Sequence, residues 1–110
     1  MIISNTLTLS DGSTASDVFM TMNMHTGTIE TNGKAPCDLS YWRSEADKDA
    51  GKTKIYPVVN GVKISSVTPQ FTGQEIVKVG PNCTVADTFA FYKQAVADKL
   101  LADYGWNVTI

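Results

Sequence analysis

The stretch Ala46-Asp47-Lys48-Asp49-Ala50-Gly51-Lys52-Thr53 comes nearest to a chemical motif, because Gly-Lys-Thr is how a phosphate-binding loop ends. Such a loop cradles phosphates with backbone N–H groups and one lysine. Here Asp47 and Asp49 would repel a phosphate, glycine is missing at the first position, and the following Lys54-Ile55-Tyr56-Pro57 reads as strand instead of helix. Asp47 and Asp49 also have calcium-loop spacing, yet Val58 stands where a bidentate glutamate should close the site. His25 is the only histidine, beside Thr26-Gly27 in an expected turn, with no partner for general-base or nucleophilic work. No spacing singles out a pair among the eleven carboxylates. The reading is of a protein that is not an enzyme, with no catalytic residue, no metal ligand set and no cofactor.

One group of side chains does suggest a binding chemistry. Lys52, Lys54, Tyr56 and Lys63 fall on one face of an expected hairpin, and Tyr41 and Arg43 from the preceding strand join them. Lysine and arginine neutralise phosphates and release counterions, while tyrosine rings stack unpaired bases. A solvated sheet face accounts for the same pattern. Nine Lys plus Arg against eleven Asp plus Glu give a net charge of -2, so nucleic-acid binding has to come from local clustering.

The elements that position these residues are mostly strands. Val, Ile and Thr together number 30 against five Leu, and β-branched side chains favour pleated, half-buried surfaces. At 43% hydrophobic and 18% charged, the 110-residue chain reads as one soluble globular domain spanning 1–110. No apolar run approaches a spanning helix, so no membrane role is expected, and the start lacks a secretory pattern. Cys37 and Cys83, 46 positions apart, fit neither a redox pair nor a zinc knuckle. Reduced thiols in a cytoplasmic setting are expected, with a disulfide left open.

Residues 1–25 read as an N-terminal hairpin. A strand at 5–10 puts Leu7 and Leu9 on one face, Asp11-Gly12-Ser13 turns it, and a return strand from Val18 carries Met20, Met22 and Met24 on a single face. Residues 26–80 form the main sheet, with strands at 28–31, 37–43, 52–59, 62–67 and 75–79 and a charged loop at 44–51. Asn60-Gly61 is the strongest hairpin signal. If Val59 pairs with Val62, then Lys54, Tyr56, Val58, Lys63, Ser65 and Val67 share one face, and Ile55, Pro57, Val59, Val62, Ile64 and Ser66 the other.

A helix is expected over 84–104, stopped by Gly105, with a short tail at 105–110. Val85, Phe89, Tyr92, Val96 and Leu100 form its core stripe. Phe91 and Leu101 sit on the opposite side, which suggests burial against a second body; scattered surface apolars are the simpler alternative.

The order of elements resembles the coat proteins of single-stranded RNA bacteriophages. The resemblance runs through the Asp11-Gly12 hairpin, Tyr41-Trp42-Arg43, Lys54-Ile55-Tyr56-Pro57-Val58-Val59, the Asn60-Gly61-Val62 turn, a Thr/Pro/Gly loop, and a terminal helix after Asn82-Cys83-Thr84. It implies an α+β fold: an N-terminal β-hairpin, a five-stranded antiparallel sheet, and a C-terminal helix packing across a dimer partner. It further implies homodimers that build an icosahedral shell in the bacterial host cytoplasm. The inner sheet face would bind single-stranded RNA, including a hairpin operator, through Tyr41, Arg43, Lys52, Lys54, Tyr56 and Lys63. Phe91, Leu101 and Trp106 would lie in the dimer interface, and the loop at 68–73 near symmetry axes. Two features depart from the family. Only Trp106 to Ile110 follow the helix where a second helix is usual, and the net charge is acidic. The alternative reading is a β-rich phage or bacterial interaction module without RNA binding.

Overall fold

The computed structural model describes residues 1–24, 34, 36–69 and 85–110, the side chains of Met24 and of 85–91 excepted. Its elements are β1 (Ile2–Ile3), β2 (Leu7–Thr8), β3 (Thr14–Ala15), β4 (Val18–Met24), β5 (Cys37–Trp42), α1 (Glu45–Asp49), β6 (Val58–Val59), β7 (Val62–Lys63), β8 (Ser66–Val67), α2 (Val85–Tyr104) and β9 (Val108–Thr109). The fold is α+β. Five strands form an antiparallel sheet in the order β8-β5-β4-β1-β9, and β2-β3 and β6-β7 make two small hairpins.

Period-two alternation sorts the sheet into two faces. The register pairs Ile3 with Val18, Met20 with Tyr41, Met22 with Leu39, and Cys37 with Val67, so all eight side chains share one face. Seven of them are buried and Met22 packs against them, so Met20 and Met22 belong to the core. The other face carries Phe19, Thr21, Ser40 and Trp42. Helix α2 contacts both edge strands, β8 and β9, and so crosses the buried face. Tyr92, Val96 and Leu100, one helical turn apart, are at most 1% exposed there. Tyr92 Oη donates to the Pro36 carbonyl at 3.4 Å. Cys37 is a buried free thiol beneath the helix, and burial pushes its pKa up to about 11.

Gly105 ends the helix with φ 70°, a left-handed conformation that a side chain would strain. Its N–H donates to the Leu101 carbonyl at 2.9 Å. Asn5 then holds the exit: its Nδ2 donates to the Gly105 carbonyl at 3.2 Å and its Oδ1 accepts from the Asn107 N–H at 2.6 Å. The tail is thereby steered alongside β1.

Several expectations change. The N-terminal hairpin closes within residues 7–15, because Leu7 pairs with Ala15; β4 leaves it and takes the centre of the main sheet. The segment at 44–51 contains the short helix α1, capped by the Ser44 hydroxyl, which accepts from the Asp47 N–H at 3.1 Å. The expected strand at 52–59 is reduced to two bridges, Tyr41 to Ile55 and Leu9 to Pro57, before β6. The pairing of Val59 with Val62 is as expected. Alternation fails between β7 and β8, so Val67 turns into the core and Ser66 outward. The strands at 28–31 and 75–79, His25 and Cys83 lie outside the described residues.

Candidate nucleic-acid interface

The bridge between Tyr41 and Ile55 fixes which side each neighbour takes. Ile55 lies on Tyr41's side of the sheet, so Lys54 and Tyr56 emerge on the other, beside Trp42. The Lys54 ammonium sits 5.7 Å from the centroid of the Trp42 ring, and Lys48, projecting from α1, sits 5.8 Å from the same ring. Lys63 reaches across from β7 to lie 4.6 Å from the Tyr56 ring. These are cation–π distances, each contributing about 0.5–1 kcal/mol at an exposed site. A cleft of about 110 Å³ opens between β5 and these segments, lined in part by Ser40, Lys54, Tyr56, Lys63 and Ser65.

Among the described residues the ion pair within 4 Å joins Lys99 to Asp103 on α2; Lys48, Lys52, Lys54 and Lys63 pair with no described carboxylate. The Glu45, Asp47 and Asp49 carboxylates stand on α1, yet Lys48 reaches over Trp42. A face with unpaired ammonium groups, an exposed tyrosine ring and two serine hydroxyls can hold phosphates by charge and a planar base by stacking.

The expected site residues divide. Lys54, Tyr56 and Lys63 come together, and Lys52 is exposed immediately before them. Tyr41 does not belong with them: it is 2% exposed, its hydroxyl donates to the Ile64 carbonyl at 2.6 Å, and burial raises its pKa. It is a core residue and offers no ring to a base. Arg43 is also placed elsewhere. Its guanidinium donates to the Thr14 carbonyl at 3.2 Å and the Ser13 hydroxyl at 3.3 Å. The same turn is held by Asp11, whose carboxylate accepts from the Ser13 hydroxyl and N–H and is lowered in pKa chiefly by those bonds. Sequence reasoning missed Trp42 and Lys48. The strand alternation Cys37, Leu39, Tyr41 contained the signal, since it sends Tyr41 inward and Trp42 to the lysine side.

Tyr41→Phe is expected to lower stability by about 1–3 kcal/mol, through the lost bond to the Ile64 carbonyl. Urea denaturation of the variant beside wild type checks this.

Of the residues expected at a dimer interface, Leu101 is 51% exposed. Trp106 is 5% exposed within its own chain, edge-on to Tyr41 at 6.3 Å between ring centroids and 5.2 Å from Tyr104. Its own chain already buries it, so a partner would have little of it left to cover. The Phe91 side chain lies outside the described residues. No cluster of His, Cys, Asp or Glu suited to a metal occurs among the described residues. No described helix is long and apolar enough to cross a membrane. No family model, no curated protein and no solved structure matches the chain.

Proposed function

We propose that this chain is a structural, non-catalytic protein that binds single-stranded RNA on the open face of its sheet and encloses it as a coat protein of the RNA-bacteriophage kind. Homodimers are the building unit, an icosahedral shell assembled in the bacterial host cytoplasm is the product, and the virion is its destination. The observation that carries this reading is the set of lysines poised on aromatic rings, opposite the helix-covered face and unpaired with described carboxylates. Lys52, Lys54 and Lys63 take phosphates, and Tyr56, 44% exposed, offers a stacking surface. The net charge of -2 does not oppose this, because phosphate contacts respond to charge within about a Debye length, roughly 10 Å.

The half-exposed Leu101 beside the fully buried Leu100 supports a second contact for α2. In the coat reading that contact is another copy of the chain.

The test is a titration with a fluorescein-labelled single-stranded RNA over a series of salt concentrations. Three engaged lysines give a slope of log K against log salt of about -2 per subunit. Failure to bind at low salt overturns the proposal; binding that does not respond to salt contradicts the role of the lysine face.

A further inference from the structure

We infer that Trp42 is a positioning residue that joins Lys48 of α1 to Lys54 as a two-point grip on the RNA sugar–phosphate backbone, extending the interface from the sheet onto the short helix. The inference rests on the RNA-binding reading above. Two ammonium groups within 5.8 Å of one ring centroid are no more than about 11.5 Å apart, so neighbouring phosphates of one strand can engage both. Lysine side chains carry about 2 kcal/mol of rotamer entropy. Holding both over an indole before RNA arrives reduces what binding must order.

Trp42 is only 8% exposed, so it acts through the lysines and does not stack a base. Glu45, Asp47 and Asp49 share α1 with Lys48 and oppose a phosphate there, so the grip depends on the Lys48 ammonium standing near the Trp42 ring, where Lys54 adds a second positive charge. Lys48 reaches that ring because Ser44 caps the helix and sets its start against the end of β5.

The experiment compares wild type, Lys48→Ala, Lys63→Ala, Trp42→Leu and Trp42→Phe in titrations with a fluorescein-labelled oligouridylate across salt concentrations, with circular dichroism on each. Lys48→Ala is expected to reduce the magnitude of the salt slope by about 0.7. Trp42→Leu, which leaves both lysines in place, is expected to weaken binding roughly two- to fivefold, and Trp42→Phe to recover most of that loss. Lys48 is exposed, so its variant separates binding from folding. An unchanged slope in Lys48→Ala, with the slope reduced in Lys63→Ala, overturns this inference and leaves the RNA-binding reading standing. A wild type that binds no oligouridylate overturns both.

Discussion

The Lys54→Ala/Lys63→Ala double variant is expected to bind single-stranded RNA with a salt slope smaller in magnitude by about 1.4, at unchanged secondary structure. Each lysine that neutralises a phosphate releases condensed counterions, and the slope counts those releases at about 0.7 per contact on a single strand. The loss should be uniform across RNA sequences, because an ammonium group reads charge and not base identity. Both residues are exposed and neither enters a described ion pair, so removing them leaves no buried charge behind. Thermal melting should shift little, which separates this variant from one that merely unfolds. A double variant with the wild-type slope would show that the ring-capped lysines stabilise the sheet and nothing more.

Leu100→Ala is expected to lower unfolding free energy by about 2–5 kcal/mol, the range for emptying a buried leucine site. Leu100 is 0% exposed where α2 crosses the sheet, in the same core as Tyr92, Val96 and Trp106. For a chain near 100 residues each kcal/mol moves the melting temperature by about 4–8 °C, so the shift should exceed roughly 8 °C. Its neighbour makes the control. Leu101, 51% exposed, should tolerate alanine within about 0.5 kcal/mol in the isolated chain. Leu101→Asp should nevertheless block self-association, since a carboxylate buried without a partner is strongly unfavourable. Sedimentation velocity of wild type and Leu101→Asp checks this, and a folded Leu101→Asp that still associates like wild type contradicts an interface on α2.

Local rules carried the sequence reading where one element set its own faces. The stripe of Tyr92, Val96 and Leu100, with Gly105 after it, was enough to define α2. Asn60-Gly61 set the register of β6 and β7. What was not legible depended on distant partners. β9 is a strand because Asn5, about a hundred positions away, holds Gly105 and Asn107 and delivers the tail to β1. The face of Val67 depends on a break in alternation between Ser65 and Ser66, both exposed, since period two holds only while the strand is continuous.

At the candidate site Lys54, Lys63 and Tyr56 are legible from hairpin parity, whereas Trp42 and Lys48 are not. Tyr41 does not join them, because strand alternation from Cys37 and Leu39, four and two residues earlier, directs it to the core. Trp42 takes that place, because the bridge from Tyr41 to Ile55 sets Lys54 beside it. Helix α1 had its own signal in Ser44 followed by Asp47, a capping pattern that the surrounding charge concealed.

Electron microscopy of the purified protein, read together with its ultraviolet absorbance ratio before and after nuclease, tests the coat reading most directly. The expected result is closed particles of uniform size whose absorbance at the nucleic-acid maximum survives nuclease, because the RNA is held inside on the lysine face. An 11.9 kDa monomer free of nucleic acid at high protein concentration would contradict it.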